Sequence, residues 1–434
     1  MADVNSDPRN PVIGVRSFGD GTCEHCSHRN IRSDFARTDP KEVGLYATAV
    51  SRGLTAAGVA PSPKHFPGHG DTYVDSHLAL PIIKKPLSSL LMMELPPFQS
   101  LINSGCATIM TGHMALPLVT GDNTPCSLSK KITTDLLKAQ MNFDGVVVTD
   151  CLEMEAVAND YGSERAAVLS LVAGADVAMI CHTFARQRGA MVQTYEAVEK
   201  GEWSVEELKA SSLRVKKLKE RFAGSWEEVL GAKLDEQKLD VLKKHNLELS
   251  KTAYAASIAL VSGPLPTMPK EGTVLVLTPE MESLNKAVDD ADGVLRTDGG
   301  QVRNTAGPSY LGFAAAVACR VSSSQHVVYS SRDRISSSDI KRASAVIFVT
   351  RNADQSSWQT NQLKDVHTQT AAPIVLLQSC GPYDSLSIGQ GQSVPSVASF
   401  EFTPPALEAA AGVLFGEIKA KGRVPVLSGR VAGQ

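Results

Sequence analysis

The stretch Lys64-His65-Phe66-Pro67-Gly68-His69-Gly70-Asp71-Thr72, with Asp75-Ser76-His77 just after it, decides the fold. Before it, residues 53–63 are typical of a helix that ends at Gly58, followed by a short buried strand that runs into Lys64. Pro67 and the glycines cannot continue a helix or a strand ladder, so the chain must turn where the strand ends. Because α/β folds carry their active sites at the carboxyl ends of strands, the stretch predicts an α/β protein with its site here.

Asp75 and His77 are the pair in this loop best suited to proton transfer. A carboxylate two residues away can orient an imidazole and raise its basicity, which gives an acid or base that works near neutral pH. A metal site, or a loop whose polar groups only satisfy one another, would also explain these residue types. His65, His69 and His77 do not follow the ligand spacing of zinc sites, so we expect no metal in the loop.

A second cluster of chemistry lies in Phe143-Asp144-Gly145-Val146-Val147-Val148-Thr149-Asp150 and continues to Met154. The apolar run is typical of a buried parallel strand, which would place Asp150 at its carboxyl end. An aspartate there can act as a nucleophile, as a metal ligand or as the N-cap of a helix that begins near Leu152. The residues alone leave these three roles open.

Strand and helix patterns alternate along the first half of the chain. After the Lys64 loop, the pattern predicts helices near 88–103, 129–141, 163–173 and 194–222, with strands at 107–111, 146–150 and 176–181. Such repeated strand-helix units indicate a parallel sheet. His113 and His182 each follow one of these strands, where either could line a pocket or have a structural role. Beyond a charged stretch at about 224–246, further apolar strands are predicted at 273–277, 345–350 and 373–377.

Four segments, in this order, resemble glycoside hydrolase family 3, in its branch of β-N-acetylhexosaminidases that act on terminal N-acetylglucosamine. The segments are 11–20, 64–77, 107–113 and 143–154, and the similarity continues into the second half of the chain. The resemblance implies a (β/α) barrel of the TIM type followed by an α/β sandwich domain. It implies that the barrel covers residues 1–223, that a helical linker covers residues 224–250, and that the sandwich covers residues 251–434.

The resemblance also implies roles for particular residues. Asp150 matches the nucleophile that forms a covalent glycosyl-enzyme intermediate in a retaining hydrolase. His77 matches the acid/base and Asp75 its dyad partner. A neutral imidazole meets less charge repulsion beside an anionic nucleophile than a second carboxylate would, in agreement with this assignment. The residues that match sugar-binding positions are Lys64, His65 and Arg16.

Two segments depart from the family pattern. Family members carry further barrel strands before the segment that matches Met1–Asn5, with an Asp-Gln-Glu-Gly-Gly motif that is absent here. We therefore expect an N-terminally truncated barrel with unpaired strand edges, poorly soluble or inactive as it stands. The second departure contains Cys23 and Cys26 at CxxC spacing. No second ligand pair completes a zinc site there, so an inserted surface loop is expected instead.

Composition narrows the classes of partner. A formal net charge of -3 over 434 residues gives no electrostatic reason to bind nucleic acid or an anionic membrane. No apolar run reaches the length of a membrane span, and Met1–Asn10 lacks the core of a signal peptide, so a cytoplasmic protein is expected. The eight cysteines are scattered, with Cys151, Cys181, Cys319 and Cys380 next to apolar strands, and they are predicted to be buried free thiols. The expected partner is a small carbohydrate with terminal N-acetylglucosamine, with no cofactor and with the oligomeric state left open.

Three alternative functions stay open. A β-glucosidase or β-xylosidase of the same family normally relies on a carboxylate from the C-terminal domain and lacks the Asp75 and His77 pair. Phosphorolysis is compatible with a histidine acid/base, because phosphate can then replace water without a carboxylate beside it. An inactive relative with a binding role would follow if the missing first strands are lost from the protein.

Overall fold

The computed structural model describes residues 2–5, 40–70, 72, 74, 76, 79–233, 235–269, 271–280, 307–354, 356–385 and 394–424. These residues divide into two compact units, of which the first ends at Lys233 and the second runs to Val424. Both units combine helices with mostly parallel strands, as an α/β protein should. Within the described ranges, no helix is long and apolar enough to cross a bilayer.

The first unit is built on five parallel strands that stand in chain order. They are β1 (Ala2–Asn5), β2 (Pro61–Lys64), β3 (Thr108–Thr111), β4 (Val146–Cys151) and β5 (Val177–Met179). β1 pairs with β2, and β4 pairs with β3 and β5. The continuation of β2 lies beside β3, since Phe66 forms a parallel bridge with Thr111. The predicted TIM-type barrel is not seen as a closed barrel, because the described strands form an open sheet.

Helices fill each connection between these strands, as the alternating pattern predicts. The helices of the first unit are Pro40–Ala56, Leu87–Met92, Leu95–Asn103, Pro117–Thr120, Glu155–Tyr161, Ser163–Val172, Phe184–Glu199, Val205–Phe222 and Trp226–Gly231, and a helix with π-type hydrogen bonding covers Lys131–Gln140. The prediction of a single helix at 88–103 was wrong, because one helix ends at Met92 and a second begins at Leu95. Pro96 and Pro97 have no N–H to donate to the preceding turn, so a new helix starts there instead.

The core of the first unit lies between this sheet and its helices. Phe66 packs edge to face on Phe98, with ring centroids 5.3 Å apart, and both side chains are fully buried. Ile109 from β3 and Val147 from β4 join the same apolar cluster. Strands buried in this way have little freedom to shift, so their carboxyl ends are held in fixed register at one edge of the sheet.

The second unit contains a six-stranded sheet with the order β6-β11-β10-β9-β7-β8. Its strands are β6 (Ala259–Ser262), β7 (Thr273–Pro279), β8 (Ser323–Tyr329), β9 (Ala345–Thr350), β10 (Ile374–Gln378) and β11 (Ser396–Ala398). All neighbouring pairs are parallel except β6 with β11. The three strands predicted from the second half of the sequence are therefore present as β7, β9 and β10.

Alternate residues of these strands pack into two separate hydrophobic cores, one on each face of the sheet. Ile347 and Val349 of β9 pack with the helices Gly307–Ala318 and Pro404–Leu414. Val346 and Phe348 of the same strand pack on the opposite face, with the helices Ser337–Arg342 and Ser357–Gln369. The second unit thus has the three layers of an α/β sandwich. Its first described helix is Glu236–Ser257, which overlaps the second half of the charged stretch at 224–246.

Candidate active site

β4 carries Asp150 to the carboxyl edge of the first sheet. The strand residues Val146–Thr149 are no more than 1% exposed, and the Thr149 hydroxyl oxygen accepts a hydrogen bond from Met179 N–H at 2.9 Å, which fastens β5 to β4. The side chain of Asp150 is 16% exposed, so the chain leaves the core at this residue. The next helix begins at Glu155 with Met154 as its N-cap, which excludes the capping role that the sequence left open for Asp150.

The Asp150 carboxylate is held from two sides. Its Oδ1 accepts a hydrogen bond from Cys151 N–H at 2.7 Å, and its Oδ2 lies 3.6 Å from His65 Nε2. Burial acts to raise the pKa of Asp150, and the His65 and His113 imidazoles oppose it. Together with the Cys151 N–H and the Lys64 ammonium, these imidazoles hold the pKa of Asp150 below its ordinary value. Asp150 is therefore an anion at neutral pH, which is the form that a nucleophile or a metal ligand requires.

His65 reaches Asp150 because its loop is bound to β3. Phe66 N–H donates to Met110 O at 2.8 Å, and Gly112 N–H donates to Phe66 O at 2.9 Å. The chain then turns at Gly68, which has φ +132° and donates its N–H to His65 O at 2.8 Å. This is the turn that the proline and glycines predict, and it leaves the His65 side chain 8% exposed beside the carboxylate.

Gly112 leaves the space that His65 occupies. A Cβ atom at position 112 would lie 2.7 Å from His65 Cβ and 2.6 Å from Met114 Cε. Real side chains do not approach so closely, so a larger residue would push His65 or Met114 away. No local sequence pattern indicates a role for this glycine, because the close approach joins two loops that follow different strands.

His113 has a positioning role rather than a place in an open pocket. It is fully buried, with Nε2 2.9 Å from Cys151 O and Nδ1 2.8 Å from Ser127 Oγ. Because a carbonyl oxygen only accepts, Nε2 carries a proton and donates it to Cys151 O. His113 therefore ties the residue after Asp150 to the loop that follows β3. Of the two roles that the sequence left open for His113, the structure favours the structural one.

Arg16, Asp75 and His77, together with Cys23 and Cys26, lie outside the residues that the structure describes. Ser76, between the predicted dyad residues, is described and is 3% exposed. Its carbonyl oxygen accepts a hydrogen bond from Ala156 N–H at 3.4 Å. Ala156 belongs to the helix that follows β4, so the backbone at Ser76 lies against the segment just beyond Asp150.

Glu153 has a role that its neighbours in the sequence do not indicate. Its carboxylate accepts hydrogen bonds from three successive backbone N–H groups, those of Cys181 at 3.0 Å, His182 at 2.6 Å and Thr183 at 3.1 Å. Burial acts to raise the pKa of Glu153, but the bonds from Thr183, His182 and Cys181 lower it overall. Glu153 thus fixes the loop after β5 against the loop after β4. An acidic residue placed just before a helix is the only signal that the sequence offers.

Two thiol side chains and one imidazole lie close together beside the Glu153 carboxylate. Cys151, Cys181 and His182 each present a ligand-type atom, and these atoms lie within 4.8 Å of one another. Cys151 is half-buried, whereas Cys181 and His182 are exposed. Partial burial, the Cys151 thiol and the Asp150 carboxylate all raise the pKa of the Cys181 thiol. The six cysteines in the described ranges are free thiols, as predicted, but Cys181 and Cys319 are exposed rather than buried.

Comparison with known proteins places this site in context. Residues 1–218 match the sequence model of the glycosyl hydrolase family 3 N-terminal domain. The chain is 31% identical over 240 residues to beta-hexosaminidase A of Pseudoalteromonas piscicida, a match that covers 51% of this chain and 37% of that relative. The chain therefore spans well under two thirds of the relative's length.

Two solved structures resemble nearly the whole chain. One is a fungal multi-domain GH3 β-N-acetylglucosaminidase, with a TM-score of 0.82 and 31% identity over 98% of this chain and 46% of that one. The other is a GH3 β-N-acetylglucosaminidase from Paenibacillus sp. str. FPU-7, with a TM-score of 0.76 and 29% identity over 98% of this chain and 74% of that one.

Proposed function

Because the chain belongs to glycosyl hydrolase family 3, we propose that it is a retaining β-N-acetylhexosaminidase that removes terminal β-linked N-acetylglucosamine. The observation that carries this proposal is the Asp150 carboxylate, anionic at the end of a buried parallel strand and 3.6 Å from His65 Nε2. The names of the relative and of the solved structures, which are hexosaminidases and N-acetylglucosaminidases, support the same substrate class.

In the proposed reaction, a carboxylate oxygen of Asp150 attacks the anomeric carbon and forms a glycosyl ester as the bond to the leaving oxygen breaks. His77 donates a proton to that oxygen, oriented by Asp75, and then accepts a proton from the water that hydrolyses the ester. Lys64, His65 and Arg16 bind sugar hydroxyls. The bond from Ala156 N–H to Ser76 O supports this arrangement, since it brings the backbone between Asp75 and His77 against the helix that follows Asp150.

The five parallel strands in chain order support a (β/α) barrel for the first unit, with residues 1–223 as the catalytic domain. The linker at 224–250 and the sandwich domain at 251–434 complete the proposed organisation. In such a barrel, the carboxyl ends of β2 and β4 lie on the catalytic face, which is where Lys64 and Asp150 stand. A cytoplasmic location stays a prediction from the sequence.

The direct test is Asp150→Asn, assayed with an aryl β-N-acetylglucosaminide. Removing the nucleophile should lower kcat by about 1,000-fold or more, which is about 4 kcal/mol in barrier height. The matched control is Asp144→Asn, an exposed carboxylate just before the same strand, which should keep full activity. Residual activity of Asp150→Asn within about tenfold of the wild type, about 1.4 kcal/mol, would exclude the nucleophile role.

Phosphorolysis is distinguished in the same assay. The reaction is run in phosphate buffer and in a buffer without phosphate, and the sugar product is identified by mass spectrometry. A hydrolase gives free N-acetylglucosamine in both buffers. Formation of a sugar 1-phosphate in the phosphate buffer would mean that phosphate, rather than water, accepts the glycosyl group. The step in which Asp150 forms the glycosyl ester would be the same.

A further inference from the structure

We propose that Cys151, Cys181 and His182 form a zinc site beside the catalytic carboxylate. The three ligand atoms already lie within 4.8 Å of one another. Zinc binds thiolate sulfur at about 2.3 Å and imidazole nitrogen at about 2.0 Å, which puts neighbouring ligand atoms of a tetrahedral site roughly 3.3–3.8 Å apart. Small side-chain rotations therefore suffice to close the three groups around one ion.

Backbone hydrogen bonds hold Cys151 in place and bring the loop after β5 close to it. Cys151 pairs with Met179 in the β4–β5 ladder, and Leu152 N–H donates to Met179 O at 2.8 Å. This register brings the end of β4 beside the residues that follow β5. On the other side, His113 Nε2–H donates to Cys151 O at 2.9 Å. The strand pairing thus holds Cys151 directly and brings the loop that carries Cys181 and His182 beside it.

Glu153 supplies the outer support that protein zinc sites need. Its carboxylate accepts the N–H groups of Cys181 and His182, the two residues that carry the exposed ligands. Such outer hydrogen bonds orient the ligating side chains and affect metal affinity strongly. The Glu153 and Asp150 carboxylates also make the surroundings anionic, which favours a divalent cation.

The site has an entry path and an open coordination position. Cys181 and His182 are exposed, so an ion can reach them from solvent. Two cysteines and one histidine fill three positions of a tetrahedron and leave the fourth for water. Each thiol that binds loses its proton to the buffer, so one zinc ion releases up to two protons. Thiolate sulfur and imidazole nitrogen favour zinc over magnesium or calcium.

A zinc ion here would add positive charge beside Asp150, and we expect it to inhibit hydrolysis reversibly. This effect on activity rests on the proposed function, whereas binding of the ion does not. Binding is therefore the primary measurement, and inhibition the secondary one.

The experiment uses the full chain, reduced with a phosphine and stripped of metal by dialysis against a chelator. Cobalt(II) alone is the optical probe, because a tetrahedral site with thiolate ligands gives visible absorption bands and a sulfur-to-metal charge-transfer band. We expect these bands at one equivalent, and their loss when zinc is added. Cys181→Ser and His182→Gln should each weaken zinc binding by about tenfold or more. Cys319→Ser removes an exposed thiol of the second unit and should bind like the wild type.

Thermal unfolding of the metal-free variants confirms that they are folded, which is expected because both substituted residues are exposed. Absence of the charge-transfer band in the reduced wild type would overturn the proposal. Zinc binding or inhibition that is equal in Cys181→Ser and the wild type would also overturn it, since the ion would then bind elsewhere. If the wild type binds zinc and the variants do not, but zinc does not inhibit hydrolysis by the wild type, the site remains and only its inhibitory role is excluded.

Discussion

His65 Nε2 lies 3.6 Å from Asp150 Oδ2, and this contact joins loops that follow two different strands of the first sheet. The imidazole is one of the groups that lower the pKa of Asp150 against the effect of burial. A residue that the resemblance assigns to sugar binding thus also keeps the proposed nucleophile ionised. The two roles can be separated by measuring how the rate depends on pH.

Replacing His65 should raise the pKa of Asp150. A nucleophilic carboxylate loses activity as pH falls through its pKa, so removing a group that lowers this pKa moves the acidic limb of the kcat/KM profile to higher pH. We expect this shift in His65→Asn, measured with a chelator present. His245→Asn, an exposed histidine on the helix Glu236–Ser257, should leave the limb in place. An unchanged acidic limb in His65→Asn would limit His65 to sugar binding.

The proposed acid/base role of His77 is tested by the leaving group. His77→Ala should lose far more activity with an alkyl or sugar leaving group than with a nitrophenyl one, since only a poor leaving group needs a proton as the bond breaks. With the nitrophenyl substrate, the glycosyl ester should accumulate, because hydrolysis of the ester also needs the histidine. Mass spectrometry of the quenched protein should then detect one N-acetylhexosamine on the peptide that contains Asp150. Equal losses with both kinds of substrate would exclude the assignment.

The strands and the place of Asp150 were predictable, because a short apolar run that ends in a carboxylate specifies a parallel strand and its carboxyl end. The helix break after Met92 was also encoded, in Pro96 and Pro97, but the apolar pattern that crosses it favoured one long helix. The carboxyl end of β4 could be predicted to carry a functional site, but the sequence does not indicate which side chains surround it.

The surrounding contacts depend on how strands are paired. Glu153 meets the N–H groups after β5 only because β4 and β5 are neighbours in register, and nothing near Glu153 in the sequence specifies that. The same holds for Cys151 and Cys181, which looked like scattered thiols. Local patterns specify the elements, whereas long-range register specifies the clusters, and a single sequence carries little information about register.

Gly112 should be intolerant of a side chain. In Gly112→Ala, the new Cβ would lie 2.7 Å from His65 Cβ, and the resulting overpacking should cost about 1–3 kcal/mol of stability and displace His65 from Asp150. Gly53→Ala is the matched control, because that helical glycine has nothing within 4 Å of its added Cβ and should gain about 0.5–1 kcal/mol. Chemical denaturation gives both values. Wild-type stability and activity in Gly112→Ala would contradict the close approach.

Asp384 should make the second unit less stable as pH rises. The side chain is fully buried, and burial together with the Asp354 carboxylate raises its pKa from 3.8 to about 8. Between these values the folded protein keeps a proton that the unfolded chain has lost, so the free energy of unfolding falls with pH. Asp384→Asn keeps an oxygen to accept the Ala353 N–H, which donates to Asp384 Oδ1 at 2.8 Å, and cannot ionise.

The stability of Asp384→Asn relative to the wild type should therefore increase steadily from about pH 4 to about pH 8. Urea unfolding at several pH values, followed by a probe in the second unit, gives this difference directly. Asp365→Asn is the control for the loss of a carboxylate, because Asp365 lies on an outer helix of the same unit. A difference between Asp384→Asn and the wild type that does not change with pH would mean that the Asp384 carboxyl is already ionised in the folded protein at the low end of the range.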